Sequence, residues 1–266
     1  MNGISDNAQS SAMVEGLEPR LLLSAFAGND LLAGRAAAEP LVYPAAVGLP
    51  FDQAAVHCDA PRTVGGVVVA PRSMTLDLNC RDFMLETGLD GQRLRVSGLG
   101  PLGEGGAPEL PGRVIRLALP PDANLNSLSL RVLSVSEHEV AGTYDIAPAP
   151  LSATEVDGEL VLDTRGRAIE GGRDLGIYGS NDFFSSECCA LIGGQQMGRW
   201  KIAELSYSPF AYNPVAGSLR LASEATVEIT YDTNDPLPGS VAAFSGHDAA
   251  AAEMLANHDL MTDWYD

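Results

Sequence analysis

Covalent or metal chemistry in this chain of 266 residues would have to start from four cysteines and four histidines. Cys188 and Cys189 are adjacent, while Cys58 and Cys80 stand far upstream. A thiol nucleophile needs a neighbouring base, and no histidine lies near Cys188 or Cys189 in sequence. Catalytic groups assemble in space, so a thiol enzyme stays open as a rival reading, and its mark would be thiolate reactivity near neutral pH. His57, His138, His247 and His258 build no HExxH, and GxSxG and Walker loops are also absent. No CxxC occurs and no histidine stands at zinc-finger spacing, which argues against structural zinc. His247-Asp248 and His258-Asp259 repeat a pair eleven residues apart, near one helical face, within an alanine-rich tail that reads as a solvated helix. Asp232, Asn234 and Asp235 carry oxygens suited to calcium but lack EF-hand spacing and read as turn caps, so no cofactor is expected. The glycines from Gly98 to Gly106 precede no Gly-Lys-Ser/Thr and are broken by Pro101, so they read as a loop. Arg165, Arg167 and Arg173 concentrate three guanidiniums in one glycine-rich stretch, Thr164 to Asp174, expected to be an exposed, mobile loop.

These groups must be positioned by elements that the composition narrows. Hydrophobic residues make up 45% of the chain, enough for a real core. Sixteen Lys+Arg against 35 Asp+Glu leave a net charge of −19, which repels phosphate backbones and speaks against nucleic-acid partners. The longest apolar runs, Leu21 to Ala27 and Val64 to Ala70, fall far short of the ~20 residues that cross a bilayer.

Residues 1–55 read as a largely disordered tail, with prolines at 40, 44 and 50. From Val56 to Asp232 the texture is one of short strands and turns. Ser73 to Leu78 alternates polar and apolar residues, and Phe83 to Thr87 and Gln92 to Val96 flank a Gly88–Gly91 turn. Val114, Arg116 and Ala118 alternate with Ile115, Leu117 and Leu119, until Pro120-Pro121 ends the strand. Ser127 to Val135, His138 to Tyr144 and Glu159 to Asp163 read as further strands, and Ile146-Ala-Pro-Ala-Pro150 as an extended connector. Ile177 to Phe184 reads as a loop packing back on the domain. Trp200 to Tyr207 and Ser218 to Tyr231 are strands around a Pro209–Gly217 turn, with Trp200, Val227, Ile229 and Tyr231 assigned to the sandwich core. Residues 233–266 read as a linker and one short helix, Ala249 to Asn257, that leave the domain. The pattern predicts an all-β, antiparallel β-sandwich.

Two sets of residues carry resemblances. Leu17-Glu-Pro-Arg-Leu-Leu-Leu-Ser-Ala25 resembles the LEPR-XLL motif of exported bacterial proteins and implies secretion or display at the cell surface; the plain alternative is a short amphipathic helix with Pro19 in its first turn. Gly106-x-Pro108-x-Leu110-Pro111 running to Leu119-Pro-Pro-Asp-Ala123, with Gly198-Arg-Trp200, Tyr212-Asn213-Pro214 and Gly217, resembles the gingipain-type propeptide of C25 (clan CD) cysteine peptidases. That resemblance implies a β-sandwich prodomain that assists folding of its peptidase and keeps it latent. The family's catalytic His and Cys lie in the following domain, so no catalytic residue carries over and the chain is expected not to be an enzyme. Its expected partner is a cognate C25-like catalytic domain lying beyond Asp266, lost, or encoded elsewhere. A peptidase of Arg or Lys specificity has an acidic primary pocket, for which Arg165, Arg167 and Arg173 are candidate plugs, against a plain solvated loop. In an exported chain Cys58–Cys80 is the first candidate disulfide, with bridges to Cys188 or Cys189 and four reduced thiols as the alternatives. The remaining rival is a surface binding module, whose mark would be exposed aromatics among Trp200, Tyr207, Phe210 and Tyr212.

Overall fold

The structure, a computed structural model, describes residues 54–58, 62–64, 67–69, 72–156, 159–233 and 245–265. The Leu17–Ala25 segment, Asn234 and Asp235 lie outside the described residues. In chain order the strands are β1 (Ala55–Cys58), β2 (Arg62–Val64), β3 (Val67–Val69), β4 (Ser73–Asn79), β5 (Met84–Thr87), β6 (Gln92–Arg95), β7 (Gly100–Leu102) and β8 (Leu110–Leu119). They continue as β9 (Ser129–Val140), β10 (Ala153–Val156), β11 (Glu159–Leu162), β12 (Ile169–Glu170) and β13 (Arg173–Asp174). After the one-turn helix α1 (Leu175–Tyr178) come β14 (Cys189–Met197), β15 (Trp200–Tyr207), β16 (Phe210–Asn213) and β17 (Ser218–Thr230), then helices α2 (Ser245–Met254) and α3 (His258–Tyr265).

Two antiparallel sheets form the sandwich. In one, β17 pairs with β9 on one side and with β16 and then β4 on the other, and β1 lies outside β4. The other runs β14-β15-β8-β7. Period-2 alternation decides what is buried. Met74, Leu76 and Leu78 of β4 and Val227 and Ile229 of β17 meet Ile115, Leu117 and Leu119 of β8 and Leu205 and Tyr207 of β15 in one cluster. Each such side chain removed from water contributes roughly 1.5–3 kcal/mol. A second cluster gathers Phe83, Leu85, Leu94, Leu110, Tyr144, Ile146, Phe210, Tyr212, Leu219 and Leu221 at the other end. The hairpins β5–β6, β10–β11 and β12–β13 stand outside the two sheets.

Three expectations are corrected. Cys58 and Cys80 are both thiols. Cys58 pairs in register with Met74, and Cys80 lies six residues further along the same strand direction, about 20 Å away at ~3.3 Å per residue. A disulfide tolerates no more than ~7 Å between Cα atoms, so antiparallel pairing itself separates the two cysteines. Trp200 does not face the space between the sheets. Lys201 pairs with Leu119, Ala203 with Leu117 and Leu205 with Ile115, so these share the inward face, and Trp200, Ile202 and Ala118 share the outer one. Finally, the C-terminal tail does not leave the domain: it forms two helices, and these cover that outer face.

Candidate functional site

The arginine stretch is held far more firmly than its composition suggests. Asp163 N donates to Ser152 O at 2.8 Å at the base of the β10–β11 hairpin, and Arg167 N donates to Thr164 O at 2.9 Å across the turn that follows. Arg167 then turns inward. Its guanidinium donates to Gly105 O at 2.8 Å and to Asp174 Oδ2 at 3.4 Å. Asp174 also caps α1, accepting from Gly176 N and Ile177 N, and its own N–H donates to Gly106 O. Arg173 pairs with Asp145 at 2.8 Å, donates to Asp90 O at 2.9 Å and lies 4.8 Å from the Tyr178 ring centroid. Its hydrogen bond to the Asp145 carboxylate raises its pKa further. Arg165 differs from both. It adopts a positive φ of +50° beside Gly166 at +74°, and its side chain is 62% exposed, with only long contacts to Asp163 at 3.3 Å and Glu104 at 3.5 Å. Of the three candidates, Arg165 is the one presented at the tip.

Beneath this turn the two recognisable sequence blocks converge. Gly106 N and Glu109 N donate to Ala149 O and Ala147 O, and Ala149 N donates to Ala107 O, so Gly106–Glu109 runs antiparallel to the Ile146–Pro150 connector. Pro108 and Pro148 face each other in that pairing, where neither has an N–H to lose. Leu110 is buried in the second cluster; Pro111 pairs with Pro101 at the β7 edge. From the other block, Tyr212 OH donates to Tyr144 O at 2.9 Å, and Phe184 and Tyr212 exchange backbone hydrogen bonds. Asn213 donates to Asn181 O and accepts from Ala216 N, closing the turn in which Pro214 sits. Gly217 has φ +62°, and a Cβ there would lie 2.8 Å from Thr143 Cγ2. Tyr178 OH completes the platform by donating to Ile146 O at 2.8 Å.

Trp200 belongs to a separate constellation. Its Nε1 donates to Asp248 Oδ1 at 2.8 Å, and its ring packs at a tilt against Tyr265 at 4.3 Å and His258 at 5.0 Å between centroids. Arg199 donates to Asp248 at 3.0 Å and to Tyr265 O at 2.7 Å. The His247 ring lies against Gly198, at φ +58°, where any Cβ would collide with it. The whole Gly198-Arg-Trp200 segment is thus the receptor of the tail, and the repeated His-Asp pairs furnish part of the latch. Asn257, read from sequence as a helix stop, has a second role: its amide accepts from Ala118 N at 2.7 Å and donates to Ala118 O at 2.9 Å, closing the open edge of β8. Ala256 N adds a bond to Arg116 O.

The remaining candidates do no chemistry in this arrangement. Burial pushes the Cys189 thiol up to about 12 and raises that of Cys188, so neither supplies a thiolate at neutral pH. Among the described residues no group of three or more His, Cys, Asp or Glu is placed to hold a metal. The backbone of Asp232 ties down the Asn124–Ser127 segment, its N–H donating to Ser127 Oγ and its carbonyl accepting from Asn124 N. Trp200, Tyr207, Phe210 and Tyr212 are each at most 1% exposed, which removes the sequence mark of a surface binding module. No helix among the described residues is long and apolar enough to cross a membrane.

The Propeptide_C25 family matches residues 77–245, from β4 to the start of α2 and more than half of the chain. The chain belongs to the C25 propeptide family. No curated protein matches it. Among solved structures it is similar to the complex of Porphyromonas gingivalis RgpB pro- and mature domains, with a TM-score of 0.52 and 17% identity over 72% of this chain and 95% of that one. It is also similar to a structure described as giving insight into zymogenic latency of gingipain K from the same organism, with a TM-score of 0.48 and 16% identity over 73% of this chain and 98% of that one. At such identity the likeness to RgpB is one of fold. As a C25 propeptide the chain is non-catalytic, and the tail from Gly246 onward lies beyond the family match.

Proposed function

We propose that this C25 propeptide is exported to the cell surface or beyond, assists the folding of a C25 cysteine peptidase domain and holds it latent, with Arg165 entering the peptidase's primary pocket. The likeness in fold to a chain solved as a complex of pro- and mature domains supports a peptidase partner. The observation that carries the role of Arg165 is its exposure: Arg167 and Arg173 are spent on Gly105, Asp174, Asp145 and Asp90, while Arg165, held by Asp163 at 3.3 Å and Glu104 at 3.5 Å, stands 62% exposed on a tight turn. A left-handed residue is far from the extended backbone that proteolytic cleavage requires, so a guanidinium presented this way occupies an acidic pocket without offering a cleavable bond.

The test is inhibition in trans of an Arg-specific C25 catalytic domain by this chain and its variants. Loss of one charge-assisted anchor in a closed pocket predicts an inhibition constant raised about 30-fold or more for Arg165→Ala. Arg167→Ala and Arg173→Ala act through the turn's support and should change inhibition less than they change thermal stability. An inhibition constant unmoved by Arg165→Ala would remove the plug.

A further inference from the structure

Arg165 is exposed but not bare, and both side chains that touch its guanidinium are carboxylates. Glu104 Oε1 accepts from its Nη1 at 3.5 Å, and Asp163 Oδ2 accepts from its Nε at 3.3 Å. The two acids come from different parts of the chain. Asp163 stands two residues before Arg165 in the same turn. Glu104 stands at the foot of the Gly106–Glu109 segment, where its own carbonyl accepts from Ala107 N at 3.1 Å, and its carboxylate reaches across to the arginine turn. It also lies 3.6 Å from Arg167 Nη1, so it sits between two guanidiniums. The side chains of Arg165, Glu104 and Asp163 are 62%, 65% and 42% exposed, which makes these contacts weak enough to be exchanged.

An acidic pocket takes a guanidinium through a carboxylate, which is the group that Glu104 and Asp163 already offer. Resting on the reading that Arg165 enters the peptidase's primary pocket, we infer that Glu104 and Asp163 are internal competitors of that pocket. They hold the Arg165 guanidinium in the free propeptide and give it up on docking, so they set the affinity below what Arg165 alone would supply. Glu104 gives it up readily, because Arg167 stays beside it as a counter-ion. Asp163 has a second role. Its Oδ1 accepts from Arg165 N at 3.1 Å, an Asx turn that supports the φ of +50°. That bond engages the backbone and not the guanidinium, so it persists when the side chain leaves. Asp163 thus opposes docking through one oxygen and shapes the turn through the other.

Inhibition constants of the full chain against an Arg-specific C25 catalytic domain, measured as double-mutant cycles with Arg165→Ala, test this. Glu104→Gln should lower the constant about two- to fivefold. Asp163→Asn should do the same, since the asparagine oxygen still accepts from Arg165 N. Asp163→Ala also removes the turn's bond and should inhibit about 2- to 10-fold more weakly than Asp163→Asn. Thermal melts establish that each variant folds, as expected for substitutions at exposed positions. With Arg165→Ala in place, Glu104→Gln and Asp163→Asn should leave the constant unchanged, because the guanidinium they compete for is gone. A gain that persists undiminished in that background is relief of general repulsion between acids and pocket, and it overturns the inference. So does a constant that neither Glu104→Gln nor Asp163→Asn lowers while Arg165→Ala weakens inhibition; the plug then stands and only the competition falls. If Arg165→Ala itself leaves inhibition unmoved, the plug and the competition are both refuted.

Discussion

Replacing Asn257 with alanine is the sharpest probe of the tail's docking. Asn257 is 2% exposed and Ala118 is fully buried, and the Asn257 amide satisfies both the N–H and the C=O of Ala118. Truncation leaves that donor and that acceptor without partners in an environment closed to water. A buried polar group left unsatisfied costs about 1–3 kcal/mol, so the pair sets the loss at about 2–6 kcal/mol. The tail's other anchors include the Asp248 bonds to Trp200 and Arg199, the Arg199 bond to Tyr265 O, the Ala256 N bond to Arg116 O, and Tyr265 OH bridging Lys201 N and Leu119 O. If their combined worth is smaller than that loss, the tail detaches while the sandwich stays folded. Fluorescence separates the two outcomes, because the chain's two tryptophans, Trp200 and Trp264, both lie at this contact. Detachment gives a red-shifted emission in native buffer and a separate early transition in urea; global destabilisation gives one transition at lower urea. Asn257→Asp keeps the shape but turns the donor into a second acceptor facing Ala118 O. It should destabilise at least as much at neutral pH and recover in acid, where a protonated carboxyl donates again. If Asn257→Ala alters neither the emission nor the urea midpoint, the edge-closing role assigned to Asn257 is wrong.

Two further outcomes follow from the geometry. Asp248 is held below its ordinary 3.8 by the Trp200 N–H and by Arg199, so its contribution to docking is complete above that value and is lost as the pH falls through its lower, folded value. Acid titration of tryptophan emission should therefore show the tail releasing below about pH 4, and Asp248→Asn should remove that dependence. Gly217→Ala forces a left-handed residue and brings a Cβ to 2.8 Å from Thr143 Cγ2; thermal or urea unfolding should show a loss of about 1–3 kcal/mol.

How much of this was legible in the sequence depends on the range of the interactions. Ser73–Leu78, Val114–Leu119 and the run to Tyr231 alternate cleanly, because the pleat is a local property and burial follows it. Which of two faces points inward is not local. Trp200 lies in a strand apolar on both faces, and only Asp248, His258 and Tyr265, some fifty residues and more away, determine that its face is the outer one. The tail misled for the same reason. An alanine-rich helix with a final asparagine reads as solvated, since nothing within it reveals that Asn257 answers an open edge at Ala118. The cysteine pair erred through register: proximity in sequence favoured a bridge, and antiparallel pairing drew Cys58 to the far end of β4. The three arginines were found by composition, but their unequal roles rest on carboxylates and carbonyls at Asp90, Gly105, Asp145 and Asp174, scattered along the chain.

That inequality bears on how a propeptide can resist its own peptidase. A loop that enters an active site in extended form is a substrate. The turn at Arg165 is prevented from extending on both sides, by Asp163 bonded to Ser152 before it and by Arg167 bonded to Gly105 and Asp174 after it. Gly105 and Gly106 belong to the segment that pairs with Ala149, and Asp145 and Ile146 are gripped by Arg173 and Tyr178, so the anchors rest on the second core cluster and not on other loops. Extending the turn would break the Arg167 contacts, each charge-assisted and together worth roughly 2–4 kcal/mol, before any scissile bond reached the nucleophile. A difference of that size slows productive cleavage by about 30- to 1000-fold while leaving the Arg165 guanidinium exposed, with only its long contacts to Asp163 and Glu104 to exchange for those of a pocket. Under the proposed function, then, Arg165 supplies affinity and the buried pairing of Gly106–Glu109 with Ile146–Pro150 supplies resistance to cleavage, which ties the recognisable Pro108-x-Leu110-Pro111 block to latency through the platform it builds.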